Sequence, residues 1–494
     1  AGSLIAMIAR RLGREVVLLE RGRHPRFAIG ESSTPLANLL LEEIAGEFDL
    51  PFLRPLSKWG PWQKQHPEIA CGLKRGFTFY HHEKGRPFSR DTALQHQLMV
   101  GASPNERIAD THWSRPDFDH FLVREAVKLG VDYRDETELE SATEESDGLH
   151  LAGKRAGRPF DLKAGFVIDA SGPRGFLHRT LLLPEKPVAG FPPTQALYAH
   201  FTDVAPLPDW FSPGQPPYPP EQAAVHHIFD GGWIWVLKFN NGITSAGVAA
   251  TDPVADRLQL RTGESGWKKL LRELPSLADC FAPARAVTPF CWQPRVAFQS
   301  AAITGRHWAL LPSAVAVVDP LLSTGFPLAL LGVQRLGRLL RATGAADFQT
   351  GLNGYAEETT REFEAAAGLV GALYRTMNRF DRFKELSLLY FAAASFSETV
   401  RRLGKSDLAS DFLLSRHPVF GPQLRELCAA GNEASTARIL EAITPIDVAG
   451  LTDRSRDPWY PALAADLLRN AAKAGASENE MRAMIAKNEM IQTP

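Results

Sequence analysis

The sequence predicts an α/β fold in which a Rossmann-like nucleotide-binding layer carries a second, sheet-bearing domain and a helical C-terminal region. Three observations predict it. The opening "AGSLIAMIARRLGREVVLLERGR" sets Leu4, Ile5, Ile8 and Leu12 at helical spacing, ends that helix at Gly13, and continues into the buried strand "EVVLLE". Two later apolar strands, in "FVIDASG" and "AVVDPLLSTG", each close on an aspartate followed by a small-residue turn. Between and after them, residues 185–300 are rich in proline, aromatics and alternating strands, and the chain from about residue 350 reads as helices.

At 494 residues the chain is long enough for roughly three domains of ~150 residues each. Hydrophobic residues make up 44% and charged residues 22%, with a formal net charge of −1, so no global field favours nucleic acid or an anionic membrane. Cys71, Cys280, Cys291 and Cys428 show no zinc-like spacing and no disulfide framework, which points to no metal and to a reducing, cytoplasmic setting. No apolar run reaches the ~18 residues needed to span a bilayer.

Each element follows from local chemistry. Small residues open the first helix, and Gly2 suits close packing of helix on strand, as the last glycine of a phosphate-binding turn does. Glu20 stands 18 positions after Gly2, where a carboxylate can take ribose hydroxyls. In "RFAIGESSTPLANLLLEEIAGEF", Thr34-Pro35 is a cap and first-turn pair for the helix that follows. Residues 71 to 90 read as a strand or hairpin, and "RPDFDHFLVREAVKLG" as an amphipathic helix with Phe118, Phe121, Leu122 and Ala126 on one face. "HLAG" and "DLKAGFVIDASG" are strands of a small sheet, and "GGWIWVLKFNNGITSAGVAA" is a hairpin turning at Asn240-Asn241-Gly242. The pairs His81-His82 and His226-His227 lack the spacing of a zinc motif and are expected in polar loops. Domain boundaries are expected at 1–70, 105–182 and 300–345 for the nucleotide layer, 71–104 and 183–299 for the substrate sheet, and 346–494 for the helical region.

Four segments, "AGS...VVLLERG", "RFAIGESSTP", "VIDASGPRGFL" and "VDPLLSTGFPLALL", stand in the order of one known family. Over residues 1 to 345 they resemble the flavin-dependent halogenases, a tryptophan halogenase-like branch of the FAD monooxygenase superfamily. The resemblance implies a Rossmann-like FAD-binding domain of glutathione-reductase type whose first strand lies ahead of Ala1. It also implies FAD, reduced to FADH2 by a separate flavin reductase, and chloride or bromide as co-substrate. In the family, flavin peroxide yields hypohalous acid, which meets the substrate beside a lysine that donates a hydrogen bond or carries the halogen.

Residue by residue, the resemblance makes Lys74 in "CGLKRGFTFYHH" the catalytic candidate, its ammonium being a point donor sensitive to burial. FAD contacts are implied for Gly2, Ser3, Glu20, Arg21, Ile29, Gly30, Arg115, Asp169, Gly172, Asp319, Pro320 and Gly325. Thr324 and Gly325 match the residues whose backbone amides cradle halide. Glu31, Ser32, Phe79, Trp233 and Trp235 are expected at the substrate pocket.

Two departures from the family pattern bear on specificity. The Trp-x-Trp-x-Ile-Pro signature becomes Trp233-Ile234-Trp235-Val236-Leu237-Lys238, which leaves an FAD monooxygenase or a geranylgeranyl reductase-like oxidoreductase as the alternative reading. Tryptophan halogenases carry glutamate where this chain has Leu322, so the resemblance is to enzymes acting on phenols, pyrroles or other electron-rich rings, free or tethered to a carrier protein.

Overall fold

The structure is a computed structural model and describes residues 1–342 and 344–490. The helix Gly2–Arg11 buries Leu4, Ile5 and Ile8 as its periodicity requires, and the short strand Val17–Leu19 pairs in parallel with Asp132–Arg134. A second parallel pair joins Val167–Asp169 to Trp308–Leu310. A Cβ built on Gly2 would stand 3.1 Å from the Ala170 Cβ, so glycine lets the first helix close on the end of the Val167–Asp169 strand. A three-stranded antiparallel sheet, Thr137–Glu145, Gly148–Arg155 and Arg158–Ala164, flanks this layer.

Among the described residues the largest sheet has nine strands. It runs from Arg285–Ala286 through Thr194–Thr202, Thr244–Thr251, Gly232–Lys238, Ala224–Phe229, Gly76–His81 and Gln97–Gly101 to Trp459–Tyr460, with Cys291–Gln293 alongside Thr194–Thr202. The Asn240-Asn241-Gly242 turn joins two antiparallel strands as expected, with Gly242 at φ +80°. Trp459–Tyr460 was not foreseen: it adds a parallel edge strand, Trp459 opposite Met99, to a region read from sequence as helical throughout. Two residues are too short for a period-2 pattern, so the pairing is set by tertiary context.

The segment read as one strand or hairpin at 71–90 splits between two sheets. Cys71–Lys74 pairs antiparallel with Asp110–Trp113, whereas Gly76–His81 lies in the large sheet. Where the two cross, a Cβ on Gly72 would fall 2.1 Å from the Lys238 carbonyl oxygen, so only glycine admits the crossing. The Glu31–Ser33 segment runs along the other side of Asp110–Trp113: Trp113 N donates to Glu31 O at 2.7 Å and Ser33 N to Thr111 O at 3.2 Å. Lys74 therefore ends its strand at the seam between the two layers.

The histidine pairs correct the loop expectation. His226 and His227 lie in the Ala224–Phe229 strand and are buried, His81 ends the Gly76–His81 strand, and His82 follows it, also buried. Burial is satisfied by neighbours: His226 stacks on Phe79 at 4.6 Å between centroids, and His82 Nε2 meets His227 Nδ1 at 2.9 Å. Among the described residues no cluster of three or more His, Cys, Asp or Glu could hold a metal ion.

Helices Gly325–Leu339, Ala345–Thr376 and Phe380–Arg402 form the central α layer. The last is buried on nearly every face, with Phe383, Leu386, Leu389 and Ala392 fully inaccessible. Phe383, Leu386 and Leu389 each contribute about 1.5–3 kcal/mol of transfer free energy. This helix packs Phe391 and Phe383 against Phe77 and Phe79 of the large sheet. Among the described residues no helix is long and apolar enough to cross a membrane.

Candidate active site

Lys74 is the centre of the site. It is 0% exposed, and its Nζ donates to Ser32 Oγ at 2.9 Å, to the Ser33 carbonyl at 2.5 Å and to Ser323 Oγ at 3.5 Å. Its ammonium also lies 3.9 Å from the centroid of the Phe77 ring. Two segments distant in sequence, the Gly-Glu-Ser-Ser turn and the "DPLLSTG" loop, are thus held together by one lysine. Burial pulls the Lys74 amine below the ordinary lysine range, and the nearby Asp110 carboxylate opposes that pull.

The "DPLLSTG" loop owes its shape to backbone geometry. Leu322 and Ser323 both have positive φ, at 65° and 56°, conformations costing about 1–2 kcal/mol each for non-glycine residues. They turn the chain sharply, so that Ser323 faces Lys74 while Thr324 stands at the start of the helix Gly325–Leu339 without a side-chain capping bond. Pro320 and Gly325 are exposed, and Thr324 is buried.

Asp319 has both oxygens taken by the protein. Its Oδ1 accepts from Leu321 N at 2.9 Å and Trp233 Nε1 at 3.1 Å, and its Oδ2 from the Tyr374 hydroxyl at 2.8 Å. Burial raises its pKa to about 6. A carboxyl whose folded pKa exceeds its unfolded value binds its proton more tightly when folded, so this contribution is fully present below about pH 4 and lost as pH rises through about 6. At about 1.4 kcal/mol per unit it amounts to about 3 kcal/mol. Thermal unfolding followed between pH 4 and pH 7 is expected to show this decline in the wild type and not in Asp319→Asn; parallel curves would refute the assignment.

Asp169 is likewise enclosed: Oδ1 accepts from Ser171 N at 2.7 Å and Ser171 Oγ at 2.5 Å, and Oδ2 from Leu177 N at 2.7 Å. Its carboxylate shapes the turn that places Gly172, at φ +84°, outside the strand end. Glu20 follows the Val17–Leu19 strand, accepts from Gly22 N at 2.9 Å and pairs with Arg26 at 3.0 Å, with exposed Arg21 beside it. Arg115 gathers Ile29 and Gly30, donating to their carbonyls at 2.9 and 2.8 Å, and is itself fixed by Asp119 at 2.8 Å. Gly2 and Ser3 lie half-buried in the first helical turn.

The residues expected at the substrate pocket fall into two groups: Phe79, Trp233 and Trp235 join one aromatic stack through His226, while Glu31 and Ser32 lie on the Gly-Glu-Ser-Ser turn. Glu31 is turned toward His200, whose Nε2 lies 2.6 Å from Glu31 Oε1. Phe79, Trp233 and Trp235 are embedded in the core, Trp235 Nε1 bonding Ser245 Oγ at 3.3 Å. Ser32 accepts a hydrogen bond from Lys74.

A cavity separated from the lysine by the Phe77 ring has other walls: Phe77 and Val100 from the large sheet, Tyr390, Phe391 and Glu398 from the helix Phe380–Arg402, and Leu451 and Tyr460 from further along the chain. Phe77 lies two residues from Phe79 on the same face of its strand, so the alternation of "GFTFY" could have offered it. Nothing local marks Tyr390 or Phe391, which reach the site through the tertiary fold.

Fold and site together define a class: an α/β protein of nucleotide-binding type with a buried lysine joining the Gly-Glu-Ser-Ser turn to the "DPLLSTG" loop, and an aromatic-lined cavity behind Phe77. The family model described as "Tryptophan halogenase" matches residues 109–385, and the chain belongs to that family. It is similar to the monodechloroaminopyrrolnitrin halogenase PrnC of Pseudomonas fluorescens, 27% identical over 355 residues, covering 70% of this chain and 61% of that protein. It is also similar to the tetracycline 7-halogenase of Kitasatospora aureofaciens, 27% identical over 376 residues, 72% of this chain and 65% of that one. The chain thus spans a little under two thirds of the length of these curated relatives. In fold it resembles the crystal structure of halogenase PltM, solved in complex with phloroglucinol and FAD, with TM-score 0.70, 22% identity and coverage of 99% of this chain and 94% of that one.

Proposed function

We propose that this protein is an FAD-dependent halogenase that installs chloride or bromide on an electron-rich aromatic ring beside Lys74. The observation that carries the reading is the placement of Lys74: fully buried, tied to both cofactor-facing loops, and touching Phe77, a wall of the aromatic cavity.

The residues present fit FAD. A Cβ built on Gly172 or Gly325 meets no atom within 4 Å, so both glycines leave room for a close-lying group. Gly325 also opens a 15-residue helix, whose first N–H groups and dipole favour an anion. Gly2, Ser3, Glu20, Arg21, Ile29, Gly30, Arg115, Gly172, Pro320 and Gly325 would hold the cofactor, and Asp169 and Asp319 act on it through the turns they shape. When bound in reduced form, FAD supplies oxygen activation and the oxidation of halide to hypohalous acid. Thr324 and Gly325 would hold the halide at the helix start. Lys74 would present to the hypohalous oxygen the N–H that otherwise makes its long 3.5 Å contact with Ser323 Oγ, and the buried seam excludes bulk water from the reactive species.

The largely aromatic and aliphatic lining, together with the absence of a carboxylate at Leu322 in the neighbouring loop, favours a small nucleophilic ring such as a phenol or pyrrole. PltM was solved with phloroglucinol, and a relative from another Pseudomonas fluorescens strain is a 1H-pyrrole-2-carbonyl-[peptidyl-carrier protein] chlorinase, 25% identical, so a carrier-tethered substrate belongs to the same reading. A separate flavin reductase supplies FADH2, and the four free thiols accord with a cytoplasmic setting.

The direct test supplies FAD, a reductase, NADH and bromide, and screens aromatic compounds by mass spectrometry. Products carrying the bromine isotope pattern support the reading; hydroxylated or saturated products without halogen from flavin-loaded protein refute it. For an accepted substrate, Phe391→Ala is expected to raise KM about tenfold through loss of an aromatic wall contact worth about 1.4 kcal/mol, with a smaller change in kcat. An unchanged KM would remove this cavity as the substrate site.

A further inference from the structure

Lys74 and Asp110 are directly opposite one another in the antiparallel pair of Cys71–Lys74 with Asp110–Trp113. Opposed residues send their side chains to one face, with Cβ atoms about 5 Å apart. Both are buried, Asp110 being 4% exposed. Asp110 Oδ1 accepts from Asn38 Nδ2 at 2.8 Å, while its Oδ2, equally shielded, has no hydrogen-bond partner. A buried carboxylate so placed is costly unless a charge compensates it. Lys74, for its part, faces three acceptors, Ser32 Oγ, Ser33 O and Ser323 Oγ, and the face of Phe77. Three donors match an ammonium; a neutral amine offers two and a lone pair.

We propose that Asp110, oriented by Asn38, is the counter-ion that keeps Lys74 an ammonium, so that the lysine acts as proton donor to hypohalous acid and is not itself N-halogenated. The inference rests on the halogenase reading and makes Asp110 a positioning residue acting through Lys74. In the step so described, the aromatic π pair attacks the halogen, the C–X bond forms and the X–O bond breaks with its electrons passing to oxygen. That oxygen takes a proton from Lys74 and leaves as water, and the ring proton returns to the Lys74 amine. The sum is arene plus hypohalous acid giving haloarene plus water.

The surrounding charges do not replace Asp110. His112, on the same strand, and His226, from the Ala224–Phe229 strand, are both driven down to about 3 by burial first and Lys74 second, and stay neutral. Glu398 and Arg402 of the helix Phe380–Arg402 border the crevice beside Asp110, with Lys58, but pair with each other at 2.8 Å. Arg402 further meets Glu42 at 3.5 Å. Burial lowers Lys74 and Asp110 opposes that fall, while burial raises Asp110 to about 7 and Lys74 opposes that rise, so each group supports the charged form of the other and loss of Asp110 removes that support from Lys74.

The test is a pH titration of the Lys74 side chain by NMR in the FAD-loaded protein carrying ¹⁵N-lysine, its signal assigned with Lys74→Arg, in the wild type and in Asp110→Asn. The expected result is an ammonium at pH 7 in the wild type and a midpoint lower by about one pH unit or more in the variant. The alkaline limb of kcat/KM for bromination is expected to move down by the same amount, and Asp110→Glu to recover part of it. Equal midpoints in two folded proteins would overturn the proposal, as would a halogen adduct accumulating on the Lys74 peptide during turnover. Should Asp110→Asn fail to fold, the wild-type titration still decides: a neutral Lys74 at pH 7 refutes the counter-ion. Because the NMR midpoint is read without turnover, absence of halogenation in every protein would count against the proposed function alone.

Discussion

Lys74→Met is expected to lose at least about a thousandfold in kcat/KM for halogenated product while binding FAD as the wild type does. A positioned acid contributes typically 10²–10⁴-fold, and methionine fills much of the same buried volume without an N–H to give. The loss falls on transfer of halogen to the ring, so oxygen consumption with reduced flavin is expected to continue without product. Product quantified by mass spectrometry against flavin binding by fluorescence checks this, and activity within tenfold of wild type would remove Lys74 from the chemistry. Because the methionine also leaves Asp110 without its counter-ion, Lys74→Met with Asp110→Asn is expected to be more stable than Lys74→Met alone at neutral pH.

The largest effect on stability is expected at Arg335. Its guanidinium makes two 2.6 Å bonds to the carboxylate of Glu362, which is 2% exposed, and a third, at 2.8 Å, to Glu358. Glu362 also accepts from Phe412 N at 2.8 Å, so one ion pair ties the helices Gly325–Leu339 and Ala345–Thr376 to the segment that follows. Arg335→Met leaves a buried carboxylate with only its backbone partner, and unfolding by urea is expected to show a loss of about 3–5 kcal/mol. Combining it with Glu362→Gln, which neutralises the charge and keeps an acceptor for Phe412, is expected to recover about half. A single variant within 1 kcal/mol of wild type would mean that the pair is solvated more than its burial implies.

The sequence made legible what is local or ordered along the chain. Thr34-Pro35 could be read as a helix start, and in the structure Thr34 Oγ1 accepts from Ala37 N at 3.2 Å. Helical spacing found the buried face of Gly2–Arg11, and Asn240-Asn241-Gly242 found a hairpin. Lys74 stood out only through its place in an ordered set of motifs, since no local rule distinguishes it from Arg75. What escaped depends on contacts across long sequence separations. His226 and His227 look polar as letters, yet a strand in the middle of a sheet buries them against aromatic rings. Asp110 has no motif of its own; its meaning comes from standing opposite Lys74, 36 positions earlier in the chain. The pocket residues Tyr390 and Phe391 sit inside a run that is apolar for packing reasons, so their second role leaves no separate trace.

The far wall of the cavity lies on a part of the chain that begins after the matched family region ends at residue 385. Tyr390, Phe391 and Glu398 come from one helix, and Leu451 and Tyr460 from a stretch stitched to the sheet by the two-residue strand Trp459–Tyr460. Lys74 and the residues that hold it come from positions 32–33, 74 and 323. The side chains that hold Lys74 and those that form this wall are therefore physically separable: substitutions within residues 386–490 can reshape the cavity without touching a hydrogen bond of Lys74.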